Sequence, residues 1–221
     1  MKTILYIFLL AFSCQAVAQD SLSKWSLGAV GGLDLMRRKL TDANENQDVV
    51  YQWNSLEKSV WRMNGGLRVQ RSISNHLSIY SGLHYADRGY RIDTLEAAGI
   101  SSLQFHFRYL EIPVGVFYTG LNFGKNSLLA GAAVQLGVCL NDILYYNKNG
   151  QSAQFEMKAV SNLNPLVVNV SAALGIRRAI TNTANLDVYL NGNQSMMPLA
   201  EGALERRLYS VGICLALTES F

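Results

Sequence analysis

The last sixteen residues, Arg206 to Phe221, alternate with hardly a fault. Tyr209, Val211, Ile213, Leu215, Leu217 and Phe221 fall on one face; Ser210, Gly212, Cys214, Ala216, Thr218 and Ser220 fall on the other. Successive side chains of a strand point to opposite faces, so the segment predicts an amphipathic strand. It is longer than the roughly five or six residues usual in globular sheets.

The start of the chain adds a second constraint. Met1-Lys2, an apolar run from Ile4 to Phe12 and Ala16-Val17-Ala18 make a charged n-region, an h-region and a small-x-small cleavage site. Residues 1–18 are expected to be a signal peptide and residues 19–221 one domain. Its apolar run is too short for a spanning helix, which needs about 20 residues, and no second long run follows. Cys14 raises a lipoprotein alternative, but Ala11-Phe12-Ser13 fits a lipid-attachment box poorly. The charged fraction, 16%, is low beside the roughly 25% of soluble domains, while the 49% of apolar residues are dispersed by alternation. The net charge of +3 comes without a basic cluster, which argues against a nucleic-acid partner.

Eight strand candidates follow, at about 25–36, 61–71, 76–91, 104–119, 127–140, 166–179, 185–195 and 206–221. No helical periodicity is expected after the signal. The connections alternate in length: 37–60 long, 72–75 short, 92–103 long, 120–126 short, 141–165 long, 180–184 short and 196–205 moderately long. Short periplasmic turns alternating with long outer loops are the pattern of an up-and-down transmembrane barrel. The predicted fold is therefore all-β, an eight-stranded antiparallel up-and-down transmembrane β-barrel with both ends on the periplasmic side.

A soluble lipocalin-like carrier also has eight strands but turns its apolar face inward. Three features favour lipid outside. Gly28, Gly32, Gly66, Gly82, Gly115, Gly131, Gly137, Gly175 and Gly212 fall on the polar face, where a narrow lumen needs small residues opposite large ones. The same face carries Asp34, Arg62, Arg68, His84, Arg88, Glu111, Arg177 and Asp187, which are expected to form a closed structural charge network, since buried charges must be paired. Trp25, Trp61, Tyr90, Tyr118 and Tyr209, with Phe123 in a turn, are expected near the membrane interfaces.

Tyr109-Leu110-Glu111-Ile112-Pro113-Val114 resembles a recurring strand of the PorT-like outer-membrane β-barrel family of Bacteroidota. Ser81-Gly82-Leu83-His84-Tyr85 through Gly89-Tyr90 is similar to that family's preceding strand, and Leu129-Ala130-Gly131 through Leu140 to its following one. The resemblance spans essentially the mature chain and implies a Gram-negative outer-membrane protein without implying one activity. Within the strand, Glu111 needs an arginine, with Arg68, Arg88 and Arg177 as candidates. Pro113 cannot donate to the ladder and is expected to mark a bulge or a break in pairing.

Catalytic chemistry finds little footing. The histidines are His76, His84 and His106. His76 is expected to be solvated beside a turn; His106 and Arg108 are expected on the outer wall, as interfacial residues or as contacts to lipopolysaccharide phosphates. No spacing forces a Ser or Cys against a base with a third orienting group. No zinc-type ligand spacing appears, and Asp42 to Asp48 lacks the central glycine and terminal glutamate of a calcium loop. Cys139 and Cys214 read as two thiols rather than a disulfide. The expectation is a non-enzymatic barrel without metal or cofactor, its lumen filled by side chains. Its role is structural or interactive, through loops 37–60 and 141–165, with Trp53, Tyr145 and Tyr146 as anchors. Expected partners are outer-membrane lipid, the barrel-assembly machinery and a second envelope protein; the alternative is a narrow channel or a component of a secretion or uptake complex.

Overall fold

The computed structural model describes residues 25–42, 47–95, 100–148, 150–156, 164–199 and 204–221; the expected signal peptide lies outside them. The elements are β1 (Trp25–Asp42), α1 (Gln47–Leu56), β2 (Glu57–Lys58), β3 (Val60–Ser72), β4 (Leu77–Leu95), β5 (Ile100–Phe123), β6 (Asn126–Lys148), β7 (Gln151–Glu156), β8 (Leu166–Ala179), β9 (Ala184–Ser195) and β10 (Leu204–Ser220). All strand pairs are antiparallel, and β1, β3, β4, β5, β6, β8, β9 and β10 close into one ring. β2 prolongs the line of β3 against β4, and β7 folds back on β6. The closing seam runs from Ser26 opposite Ser220 to Asp42 opposite Leu204, and Phe221 N donates to Trp25 O at 2.9 Å.

Turn chemistry fixes one end of the ring. Ser74 Oγ accepts from His76 N and Leu77 N at 3.3 and 3.0 Å, and Thr181 Oγ1 accepts from Thr183 N and Ala184 N at 3.2 and 2.9 Å. Between β5 and β6, Gly124 takes φ +66°, which L side chains rarely adopt. These short turns share one end of the ring, the end expected to be periplasmic, with Trp25 and Phe221.

The outward face is apolar in a belt. On β10, Val211, Ile213, Leu215 and Leu217 are each more than half exposed, while Cys214, Ala216 and Thr218 between them are buried. The same alternation puts Leu33, Leu67, Leu83, Ile112, Val114, Leu136, Leu174 and Leu190 outside. Nine residues of tilted strand from Tyr209 to Leu217 give a belt of roughly 20–25 Å, the height of an outer-membrane barrel's lipid face. Trp61 and Tyr209 stand at the edge of the belt away from the short turns; Tyr118 and Phe123 stand at the edge beside them.

Inside, small residues face large ones. Phe117, 1% exposed, fills the space over Gly131. A side chain on Gly137 would meet Glu111 Cγ at 2.9 Å and Val167 Cγ1 at 2.8 Å.

The outer half departs from the sequence expectation. The strands there are longer: β1 runs to Asp42, β4 to Leu95, β5 starts at Ile100, β6 runs to Lys148 and β10 starts at Leu204. Segment 37–60, expected to be a loop, holds the end of β1, the helix α1 and β2, and 141–165 holds the β6–β7 hairpin. The reason is a change of phase. Above the belt, inward positions become apolar and outward ones polar: Phe105, Phe107 and Tyr109 turn inward while Gln104, His106 and Arg108 turn outward. The pattern is still a strand, but with a water-facing outside. A register shift where Tyr109 pairs with Cys139 but Arg108 with Asn141 leaves Leu140 as an extra residue, so Asp142 and Leu144 become the buried positions. Tyr90, expected at the interface, has the parity of His84 and Arg88 and is 1% exposed in the lumen. At Pro113 the β4–β5 ladder is interrupted between Ser81–Val114 and His84–Glu111 with register unchanged, so the proline marks a break rather than a bulge.

Candidate functional site

The lumen is built in two tiers. The lower tier, at membrane height, is ionic. Arg177 and Asp187 are opposed on β8 and β9, and Arg177 Nε and Nη2 grip Asp187 Oδ1 and Oδ2 at 2.7 and 2.9 Å. From across the lumen, Arg68 Nη2 donates to Asp187 Oδ2 at 2.6 Å. Gln70 Oε1 accepts from Arg177 at 3.3 Å, and Gln70 Nε2 donates to Ser78 Oγ at 2.8 Å. The Arg68 guanidinium lies 5.0 Å over the Phe117 ring, which covers it with an aromatic face.

A second cluster joins β4, β5, β6 and β8. Arg88 Nε and Nη2 donate to Glu111 Oε1 and Oε2 at 2.8 and 2.9 Å, a bidentate pair. Asn169 Nδ2 donates to Glu111 Oε1 at 3.3 Å, and Gln135 Oε1 accepts from Arg88 Nη2 at 3.1 Å. Of the three arginines expected near Glu111, Arg88 is its partner, while Arg68 and Arg177 share Asp187.

Three of the eight expected network residues sit apart. Asp34 Oδ2 accepts from Asn64 Nδ2 at 2.7 Å and makes no ion pair among the described residues, although Arg62 stands opposite it in the ladder. Arg62 Nη2 reaches instead to Phe105 O at 3.3 Å, in the upper tier. His84 lines the lumen without a hydrogen bond to either carboxylate cluster. The charges therefore form two local clusters, one around Asp187 and one around Glu111, rather than one closed network. Asn64, Gln70, Gln135 and Asn169 complete them. These amides share the inward parity of the charges, which is the signal that finds them. Between the clusters a cavity of about 40 Å³, lined by Asp34, Arg68, His84, Arg88 and Asn193 among others, has room for no more than a few waters.

The upper tier is an apolar plug of Tyr90, Phe107, Tyr109, Leu144, Val167 and Leu208. Tyr90 stacks on Phe105 with centroids 4.4 Å apart. Arg38 clips the plug to the rim: Nε donates to Glu57 Oε1 at 2.6 Å, Nη1 donates to Tyr90 OH at 2.8 Å, and its guanidinium lies 4.0 Å over the Tyr90 ring. The sequence reading missed Arg38 and Glu57, which lie in the segment it treated as a loop; the inward parity of Met36, Arg38 and Leu40 was their mark.

On the outer wall, His106 Nδ1 lies 3.1 Å from Asp87 Oδ2 and its ring meets Tyr145 edge-on at 4.9 Å. Arg108 stands opposite Asp87. His76 is exposed, its Nδ1 2.8 Å from Thr119 O. Tyr146 packs edge-on against Phe155 of β7, and Trp53 on α1 is 39% exposed. Cys139 and Cys214 form no disulfide.

A closed antiparallel ring with charges inside and an apolar belt outside is a membrane barrel, and residues 17–201 match the family described as outer membrane protein beta-barrel domain. The chain belongs to that family. It is an integral protein of the outer membrane. No curated protein matches it in sequence. Among solved structures it is similar to Neisserial surface protein A, at 12% identity and a TM-score of 0.47 over 89% of this chain and 97% of that one. OprG from Pseudomonas aeruginosa matches at 9% identity and 0.47, over 90% and 95%. A major outer membrane protein from Thermus thermophilus matches at 9% and 0.48, over 90% and 99%. The strand ring and the family, rather than these distant likenesses, establish the barrel.

Proposed function

We propose that this outer-membrane barrel is closed and non-enzymatic and serves as a rigid mount for an interaction surface at its outer rim. The observation that carries the reading is the double filling of the lumen. Among the described residues, paired charges occupy the membrane tier and a clipped aromatic plug sits above them, a filling that supports a lumen closed to solute.

The rim supplies the surface. Every residue of β7 is exposed, including Phe155 at 43%, and α1 presents Tyr51 at 77% and Trp53 beside it. Exposed aromatics on ordered elements suit a protein partner, since they bury much area at little entropic cost. The expected partner is a second envelope protein, and the barrel-assembly machinery would insert the chain.

Two measurements test this. In planar bilayers the purified barrel should show no stable openings; steady large conductance would contradict the closed lumen. Replacing residues 149–156 by a short Gly-Ser turn should leave a folded barrel that loses co-purifying partners. Failure of assembly, or unchanged partner recovery, would remove the hairpin from the role.

A further inference from the structure

The outer wall is not evenly filled. Outward rows cross β8, β9, β10 and β1 in register. The lower row runs Ala172, Gly192, Val211 and Leu35; the next runs Val170, Gln194, Tyr209 and Arg37. Nothing lies within 4 Å of where a side chain on Gly192 would begin. Ala172, Gly192 and Val211 floor a groove of about 850 Å³ that opens sideways, toward lipid.

Cations close its upper end. Lys39 on β1 stands directly opposite Arg207 on β10, both on the outward face, one step above Tyr209. Like charges directly opposite on one sheet face destabilise the pair. Glu205 accepts from Arg207 Nη2 at 3.0 Å and offsets only one of the two; Lys39 has no partner among the described residues. Arg37, next to them, donates to Asn54 O of α1 at 3.1 Å. The opposite wall differs, since there Asp87 faces Arg108. The cation pair sits at the outer edge of the belt, at the level of outer-leaflet headgroups.

We propose that this groove binds a phosphorylated glycolipid of the outer leaflet. An acyl chain lies along Ala172, Gly192 and Val211, and a phosphate bridges Lys39 and Arg207. The phosphate relieves the cation pair's repulsion, and the groove receives the chain that must hang beneath such a headgroup. A phospholipid of the inner leaflet would place its phosphate at the wrong end of the belt. The site is independent of any protein partner at the rim.

Native mass spectrometry of the detergent-solubilised barrel tests this, with diphosphorylated lipid A, its monophosphoryl form and phosphatidylglycerol as probes. Diphosphorylated lipid A should be retained best, and the Lys39→Glu/Arg207→Glu pair should weaken it about tenfold or more, as expected for cations near a charged headgroup. Gly192→Leu, which obstructs the groove but keeps the rim charges, should also lose it. Arg178→Glu, an outward cation at the other end of the belt, should bind as the parent does. The heat-dependent shift in gel mobility checks that each variant is folded; should Gly192→Leu fail that check, the charge variants decide. Equal retention of phosphatidylglycerol, undiminished lipid A binding in the double variant, or an equal loss with Arg178→Glu would overturn the proposal.

Discussion

The two tiers of this barrel solve opposite problems with one strand pattern. In the lower tier lipid surrounds the wall, so Leu110, Ile112 and Val114 turn out while Glu111 is buried and matched to Arg88. In the upper tier water surrounds it, and Phe105, Phe107 and Tyr109 turn in. The same strand, β5, does both without interruption. The lower tier is held chiefly by partners whose removal leaves a charge stranded; the upper is held chiefly by contact area, with the Arg38–Glu57 pair clipping its rim. Their failures should differ in size and in remedy.

The largest effect is expected at Asp187, which neutralises both Arg68 and Arg177. Asp187→Ala should destabilise the barrel by about 3–5 kcal/mol in urea unfolding followed by tryptophan fluorescence, because two guanidiniums lose their counterion. Adding Arg68→Met and Arg177→Met to Asp187→Leu should restore most of that stability; no recovery would mean the cluster acts through shape rather than charge. Next is the plug, where Phe107→Ala should cost about 3 kcal/mol in the same assay through the cavity it leaves. A loss there larger than at Asp187 would reverse the ranking of the tiers. Glu111→Gln should cost about 2 kcal/mol of stability and so lower the melting temperature without blocking insertion, since one acceptor oxygen remains for Arg88. An unchanged melting curve would remove Glu111 from the structural account. The smallest is Tyr90→Phe, about 1 kcal/mol, because only the hydrogen bond from Arg38 is lost while the ring keeps its place under the guanidinium. A loss as large as that of Phe107→Ala would make the clip, rather than packing, the main support of the plug.

The lower tier was legible because alternation there is clean and has one sense. Strands through Leu128–Leu140 and Leu166–Ile176, and the parity of Arg68, Arg88, Glu111, Arg177 and Asp187, follow from counting by two. Which arginine meets which carboxylate did not follow, because diagonal reach depends on barrel tilt and stagger. Asp34 illustrates this: the register offers Arg62, and the amide of Asn64 takes its place. The upper tier was hidden by the phase reversal at the membrane edge. A reader tracking apolar outward residues stops at Leu140 and Leu110, where the extra residue on β6 shifts the parity. Helix α1 escaped for another reason. Gln47–Leu56 spans only ten residues, and it is tied to β1 by hydrogen bonds of Asn54 with Leu40 and Arg37 rather than held by a pattern strong enough to stand alone.

The central claim is that the apolar face meets acyl chains while the polar face is sealed from both lipid and water. Two single-tryptophan proteins, with Trp25, Trp53 and Trp61 replaced by Phe, test it most directly in liposomes of lipid brominated on its chains. Ile213→Trp on the outward face should be strongly quenched by bromine, and Tyr189→Trp on the inward face should resist both bromine and aqueous iodide. Bromine quenching at 189, or iodide quenching at 213 in its absence, would contradict the account.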